Sequence, residues 1–247
     1  MGVILEGVKF ELFTSLAGEC VKRLIISDLI DELPNHDLPF YFESKDSTFT
    51  DFSIILIARF ESKCVALIVL EDKVFTGAVR SVFIRTLLVA ERFHGSSIPY
   101  KMVCLAFQSH FDKEGRFPDC IAMKTYNPVA YHMMLKFSRN LGGKTLIYPN
   151  IGGQNDRGKV GIAELYAQNL HPLCKFNPNT GVISGGGGVI SSSFWNKYPT
   201  CRNKSINEFF FRHVGDTDRV LSMVFCCTEI DKRYIMKNLR INAGREA

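Results

Sequence analysis

Between Val79 and Pro99 the chain reads VRSVFIRTLLVAERFHGSSIP, and this stretch limits the choice of fold more than any other. Val79 to Val89 is a β-branched, apolar run of the kind that forms a buried strand. It breaks into the small residues Gly95-Ser96-Ser97, and Pro99, with its fixed φ, opens a helix directly afterwards. A loop of this kind leaves backbone N–H groups unpaired at the positive end of a helix dipole, where a phosphate can be held. The stretch therefore points to a nucleotide-type ligand.

The elements on either side set the fold class. Phe52 to Phe60 and Cys64 to Leu70 are apolar runs separated by Glu61-Ser62-Lys63, and they read as an antiparallel hairpin. With the strand that follows a turn at Gly77, they make three successive strands with no helix between, the mark of an α+β sheet. Before them, Ala17, Cys20, Val21, Leu24 and Ile25 have the spacing of a buried helix face over 15–33, which Pro34 ends; residues 35–51 read as a loop. After Pro99, Val103, Ala106, Phe107 and Phe111 fall on one helical face. Cys120 to Tyr126 is a further strand, Asn127-Pro128 opens a helix through Ala130, Met133, Met134 and Phe137 to Gly142-Gly143, and Lys144 to Tyr148 is a short strand.

Beyond Pro149 the texture changes. Ile162 to Leu170 has helical spacing, and Gly185 to Gly188 reads as a flexible loop, since no P-loop lysine follows it. Ser205-Ile206-Asn207-Glu208 matches a capping box ahead of Phe209-Phe210-Phe211, Val220 to Cys227 reads as a strand, and a charged tail follows Glu229. The domain division expected from this change is 1–149 as a core and 150–247 as a C-terminal lobe. Residues 1–150 carry 17 basic and 17 acidic side chains, and residues 151–247 carry 13 and 8, so the net +5 lies in the C-terminal part. That favours an anionic partner there. The basic residues are scattered, not arranged in a stripe with aromatics, so nucleic acid is not the expected partner.

With 46% hydrophobic residues the chain fills a real core. Its eight cysteines include no C-x-x-C pair and sit mostly in apolar runs, as reduced thiols of a cytoplasmic protein do. No metal site is expected from the six histidines, which form no His-x-x-x-His pair. The start, MGVILEGVKF, lacks the pattern of a secretory signal, Glu6 stands where a myristoylation motif wants Ser or Thr, and the run Ile54 to Ile57 is too short to span a bilayer.

The order hairpin, strand, small-residue loop, helix, strand, Asn-containing turn, helix, strand over residues 50–148 resembles the GNAT acyltransferase superfamily. In that family a strand ending in a hydrophobic-Val pair leads to Arg-Gly-x-Gly-Ile-Gly. Here Leu88-Val89 leads to His94-Gly95-Ser96-Ser97-Ile98-Pro99, with histidine for the arginine, serine for the second glycine and proline for the third. A second register takes Arg92-x-x-Gly95-x-Ser97 as the loop, and both registers stand. The family's Asn-x-x-Ala appears as Asn127-Pro128-Val129-Ala130.

The resemblance implies a GNAT-like α+β fold, with a mixed, mostly antiparallel sheet flanked by helices and a C-terminal extension. It implies N-acyl transfer from acetyl-CoA or another acyl-CoA to a small-molecule or protein amine. Leu88, Val89, His94, Gly95, Ser96, Ser97, Ile98 and Asn127 would bind the coenzyme. The oxyanion would be met by a backbone N–H near Val89, and a general base and acid would move the protons. Met134 stands where many members have a tyrosine acid, leaving Tyr131 as a substitute, Glu91 as the nearest carboxylate, and Arg85 as a charge beside the cleft. Phe194, Trp195, Tyr198 and Phe209 to Phe211 would complete an acceptor pocket or dock an acidic acyl carrier protein, an alternative donor. The histidine, serine and methionine replacements also suit a binding protein that keeps the scaffold without catalysis.

Overall fold

The computed structural model describes residues 7–15, 18–74, 79–141, 144–190, 194, 198–226 and 228–244. Ala17, the turn at Gly77, the helix end at Gly142-Gly143, Trp195 and Cys227 lie outside the described residues. The chain packs as two units. The first comprises residues 1–72, 84–117 and 236–247, and the second residues 73–83 and 118–235. The change of texture at residue 150 falls inside the second unit.

In the first unit, β1 (Val8–Phe13), α1 (Gly18–Glu32) and α2 (Leu38–Ser44) precede the hairpin of β2 (Ile54–Phe60) and β3 (Lys63–Val74). β1 pairs antiparallel with β2, from Val8 opposite Phe60 to Phe13 opposite Ile55, and β2 pairs antiparallel with β3, from Ile54 opposite Leu70 to Phe60 opposite Lys63. Ile54 to Ala58 and Cys64 to Leu70 are buried without interruption. Burial on both faces is why these runs are continuously apolar and not alternating. The hairpin turns on Glu61 and Ser62 alone, at φ +49° and +69°, the positive values of the type I′ turn that suits strand twist.

Two expectations change here. The buried face of α1 is Ile25 and Leu29, whereas Cys20 is exposed and Leu24 is 54% exposed. Of the expected set Ile25 is buried and Val21 half-buried, so the core-facing stripe runs one residue towards the Leu29 side of the one expected. The stretch read as a loop contains α2, which Pro39 opens and Asp37 caps by accepting from the Phe40 N–H. Tyr41 and Phe42 anchor this short helix in the core, and the Tyr41 hydroxyl bonds Thr86 Oγ1 at 2.9 Å. Thr86 lies on β4 (Arg80–Val89), whose residues from Ile84 onward belong to this unit; α3 (Ile98–Glu114) follows and packs on β2. Val103, Ala106, Phe107 and Phe111 are all buried, as their spacing predicts.

The second unit is built on β5 (Cys120–Thr125), α4 (Pro128–Asn140), β6 (Thr145–Tyr148), α5 (Arg157–Leu170), β7 (Phe176–Asn177), β8 (Val182–Ile183), α6 (Lys204–His213) and β9 (Arg219–Cys226). The wholly buried β9 is its central strand. It pairs antiparallel with β5, Cys120 opposite Phe225, and also with β6, Thr145 opposite Cys226, and with β8, Val182 opposite Val220. A strand from the C-terminal part thus lies between β5 and β6. On one face Leu221, Met223 and Phe225 pack with Ala163, Tyr166 and Ala167 of α5. On the other, Val220 packs with Tyr131, Ile206 and Phe210.

The cap of α6 is Asn203, which accepts from the Ile206 N–H, and not the expected Ser205 box. The expected charged tail is the helix α7 (Glu229–Gly244). All pairings described within the two units are antiparallel, and helices flank the strands. The architecture is a mostly antiparallel α+β arrangement, as the sequence implies.

Candidate active site

The predicted site residues fall in both units. In the first, the buried Leu88 and half-buried Val89 end β4, and the Ala90 N–H donates to Val65 O of β3 at 2.8 Å, so the sheet still holds the chain there. A single 3-10 turn, Glu91–Phe93, redirects it, with the buried Phe93 as anchor. His94 Nε2 donates back to Val89 O at 2.9 Å. Gly95 takes φ +80°, the left-handed region, and a Cβ built there meets nothing within 4 Å. Glycine is required by conformation and faces open space, as it does where a ligand approaches the backbone.

α3 starts at Ile98, one residue before the expected Pro99. Its N-cap is Ser97, whose side chain makes no capping bond; Ser96 Oγ instead accepts from the Ile98 N–H at 3.2 Å. Pro99 has no N–H to give. Among the described residues the Gly95 and Ser97 N–H groups make no hydrogen bond. The loop thus presents two backbone donors and the Ser96 and Ser97 hydroxyls at the positive end of a 17-residue helix. That set can hold a phosphate-type anion.

Three charged side chains surround this segment, and each is tethered. Glu91 accepts from Asn35 Nδ2 at 3.2 and 3.4 Å, and His36 Nδ1 lies 3.8 Å from Glu91 Oε1. Arg92, the arginine of the second register, makes a two-pronged pair with Glu32 at 2.9 and 2.7 Å and lies over the Phe60 and Phe93 rings. Arg85 is mostly buried between Glu71, 3.4 Å away, and Asp51, whose carbonyl it donates to at 2.8 Å. It therefore ties β4 to β3 and to the loop before β2.

In the second unit, Asn127 caps α4 by accepting from the Val129 N–H at 2.8 Å, while its own N–H donates to Thr125 Oγ1 at 2.9 Å. The side chain that the resemblance assigns to the coenzyme is, in its oxygen, a helix cap; its amide nitrogen has no bond among the described residues. Tyr131, expected from the resemblance as a substitute acid, sits in the core of the second unit. It is 1% exposed, its hydroxyl donates to Pro149 O at 2.6 Å and accepts from the Ile151 N–H at 3.4 Å, and its ring packs with Phe210. Burial raises this phenol to about 12, against smaller lowering by Ile151 and Arg139. Met134, one turn further along α4, is wholly buried.

Of the aromatics assigned to an acceptor pocket, Phe194 and Phe210 are buried, Tyr198 is partly exposed and Phe211 is 84% exposed. What the sequence hid is the pair Asn35-His36: it lies 56 residues from Glu91 and carries no motif. The signal available was negative, two polar residues just past a helix-ending proline.

No protein-family model and no curated protein matches the chain. Solved structures similar to it include PH1933 from Pyrococcus horikoshii OT3 (16% identity over 60% of this chain and 93% of that one, TM-score 0.40). Another is a GNAT family acetyltransferase from Elizabethkingia anophelis with acetyl-CoA bound (11%, 90% and 100%, TM-score 0.42). A third is Escherichia coli ElaA (8%, 60% and 93%, TM-score 0.43). GNAT family acetyltransferases recur among the matches at low identity. No described helix is long and apolar enough to cross a membrane.

Proposed function

We propose that the chain is an N-acyltransferase that binds an acyl-coenzyme A at the loop from His94 to Ile98 and passes the acyl group directly to a primary amine. The observation that carries this reading is the turn after β4. Gly95, at positive φ over open space, stands beside N–H groups left unbonded at the start of α3, in the element order of the acyltransferase fold. The Gly95 and Ser97 N–H groups and the two serine hydroxyls would hold the diphosphate. Leu88 and Val89 would offer backbone groups to the pantetheine arm. When bound, the coenzyme supplies the activated thioester. The chain's own part is to hold it, orient the amine and remove a proton, and Glu91 is the carboxylate assigned to that last step in this reading.

A second reading has its own support. Ser96 consumes the Ile98 N–H, Pro99 lacks one, and Tyr131 is locked in the core, which suits a protein that binds the coenzyme without turnover. Release of thiol from acetyl-CoA, a long-chain acyl-CoA or an acyl carrier protein, measured with a panel of primary amines, separates the two. Amine-dependent release supports the enzyme and ranks the donors; binding without release from any donor supports the scaffold.

A further inference from the structure

Glu91 is not a lone loop carboxylate. The short segment between α1 and α2 reaches it with two side chains, the Asn35 amide on both carboxylate oxygens and the His36 ring 3.8 Å from one of them. The His36 side chain is only 3% exposed, whereas Glu91 is 44% exposed and opens to solvent. One member of the pair thus faces solvent and the other is sealed behind it. His94, from the coenzyme loop itself, is near enough for its charge to act on His36.

We propose that Glu91 and His36 form one proton-accepting unit for the acceptor amine, with Asn35 fixing the carboxylate between them. This rests on the acyl-transfer reading and names the base that reading needs. The substrate ammonium gives an N–H proton to a Glu91 oxygen, and Glu91 yields it to His36 Nδ1. The freed nitrogen lone pair then forms the C–N bond to the thioester carbon, the C–S bond breaks, and the sulfur leaves with the electron pair. The second proton of the attacking nitrogen neutralises that thiolate. Glu91 is the group that touches substrate; His36 and Asn35 are positioning residues.

Burial holds the His36 imidazole below its ordinary value, opposed by the Glu91 carboxylate and reinforced by His94, so it is neutral and able to accept near pH 7. The other charges nearby are already engaged. Arg92 is paired with Glu32, and Asp37 caps α2.

The test has two arms on the full chain. In the first, the His36 ring is titrated by NMR in wild type and in Glu91→Gln, a substitution at an exposed side chain. The apparent pKa of His36 falls in the variant, since the carboxylate that raised it is gone; an unchanged titration overturns the coupling whatever the protein catalyses. In the second, acetyl-CoA thiol release is followed from pH 6 to 10 with a diamine and a lysine peptide as acceptors. Glu91→Gln and His36→Gln are slowed about 100-fold near pH 7, and the loss shrinks towards pH 10, where the amine is already neutral. A loss that stays constant with pH, or rates within twofold of wild type, overturns the proposal. Failure of wild type to bind acetyl-CoA overturns the acyl-transfer reading and this proposal with it, and is recognised by a missing binding signal before any variant is compared.

Discussion

Two glycine-bearing loops invite opposite readings, and their surroundings reverse the obvious one. Gly95 sits in a short loop with one glycine, where an added Cβ meets nothing within 4 Å. The four-glycine run Gly185–Gly188, read from sequence as flexible, is tied at every step. Gly185 N–H donates to Asp218 Oδ1, Gly186 N–H to Ile183 O, Gly187 N–H to Thr217 O and Gly188 N–H to Gly185 O. A Cβ on Gly187 would stand 2.5 Å from the Arg219 guanidinium, and one on Gly186 2.9 Å from the Ile183 side chain. Arg219, buried at the start of β9, lies over the Tyr126 ring and donates to the carbonyls of Asp216, Asp218 and Ile190. In the second loop glycine makes room for the chain's own side chain. In the first the room is left open, as it also is at Gly185 and Gly188, so what sets the two loops apart is that the four-glycine N–H groups are bonded and, among the described residues, that of Gly95 is not.

The comparison breaks first at Gly187. Gly187→Ala drives a methyl into a buried guanidinium and costs about 3 kcal/mol, a fall in melting temperature of roughly 6–12 °C for a chain of this size. A shift under 2 °C would mean that the loop yields and the packing account is wrong. Next is Tyr131, whose hydroxyl is spent inside the second unit. Tyr131→Phe costs about 1–2 kcal/mol in urea unfolding and leaves amine-dependent thiol release unchanged, whereas a tenfold rate loss at full coenzyme binding would restore it as an acid.

Gly95→Asn, which tolerates positive φ, costs under about 1 kcal/mol, in contrast to Gly187. Smallest is the β2–β3 turn, the reverse case, where positive φ is met without glycine. Glu61→Asn with Ser62→Gly stabilises by about 0.5–1 kcal/mol, read as a rise in melting temperature.

Spent polar groups also set the acid limb of stability. Burial raises the Asp119 carboxyl, but the Lys232 ammonium, with the Arg80 N–H, outweighs it and holds the group below its ordinary value; Asp72 is likewise held down by His110 in spite of burial. Depressed carboxylates contribute stability that is present above the unfolded value near 4 and lost as pH falls through the folded one. Asp119→Asn therefore flattens the decline in melting temperature below about pH 4. An acid limb identical to wild type's would contradict the pairing.

The hairpin, α3, β5, α4 and the turn at Gly95 were legible because local pattern decides them: apolar runs, a proline at a helix start, small residues between. The face of α1 was not, since neighbouring faces share one period and only tertiary packing chooses Ile25 and Leu29. β1 was hidden because its six residues alternate only weakly and gain their pairing from β2. The place of β9 between β5 and β6 depends on pairings about eighty to a hundred residues apart. At the site, the loop could be read but its tethers could not. Nothing local ties Asn35 and His36 to Glu91, and nothing local shows that Tyr131 turns its hydroxyl to Pro149.

The most direct test of the central claim is the change in melting temperature with acetyl-CoA, a long-chain acyl-CoA and free coenzyme A, on wild type and on Gly95→Asp. The variant tolerates positive φ but places a negative charge where the diphosphate would sit. The account predicts a ligand-dependent rise in wild type that the variant loses while its unliganded melting temperature stays close to wild type's. No rise with any of the three, or an equal rise in both proteins, would contradict it.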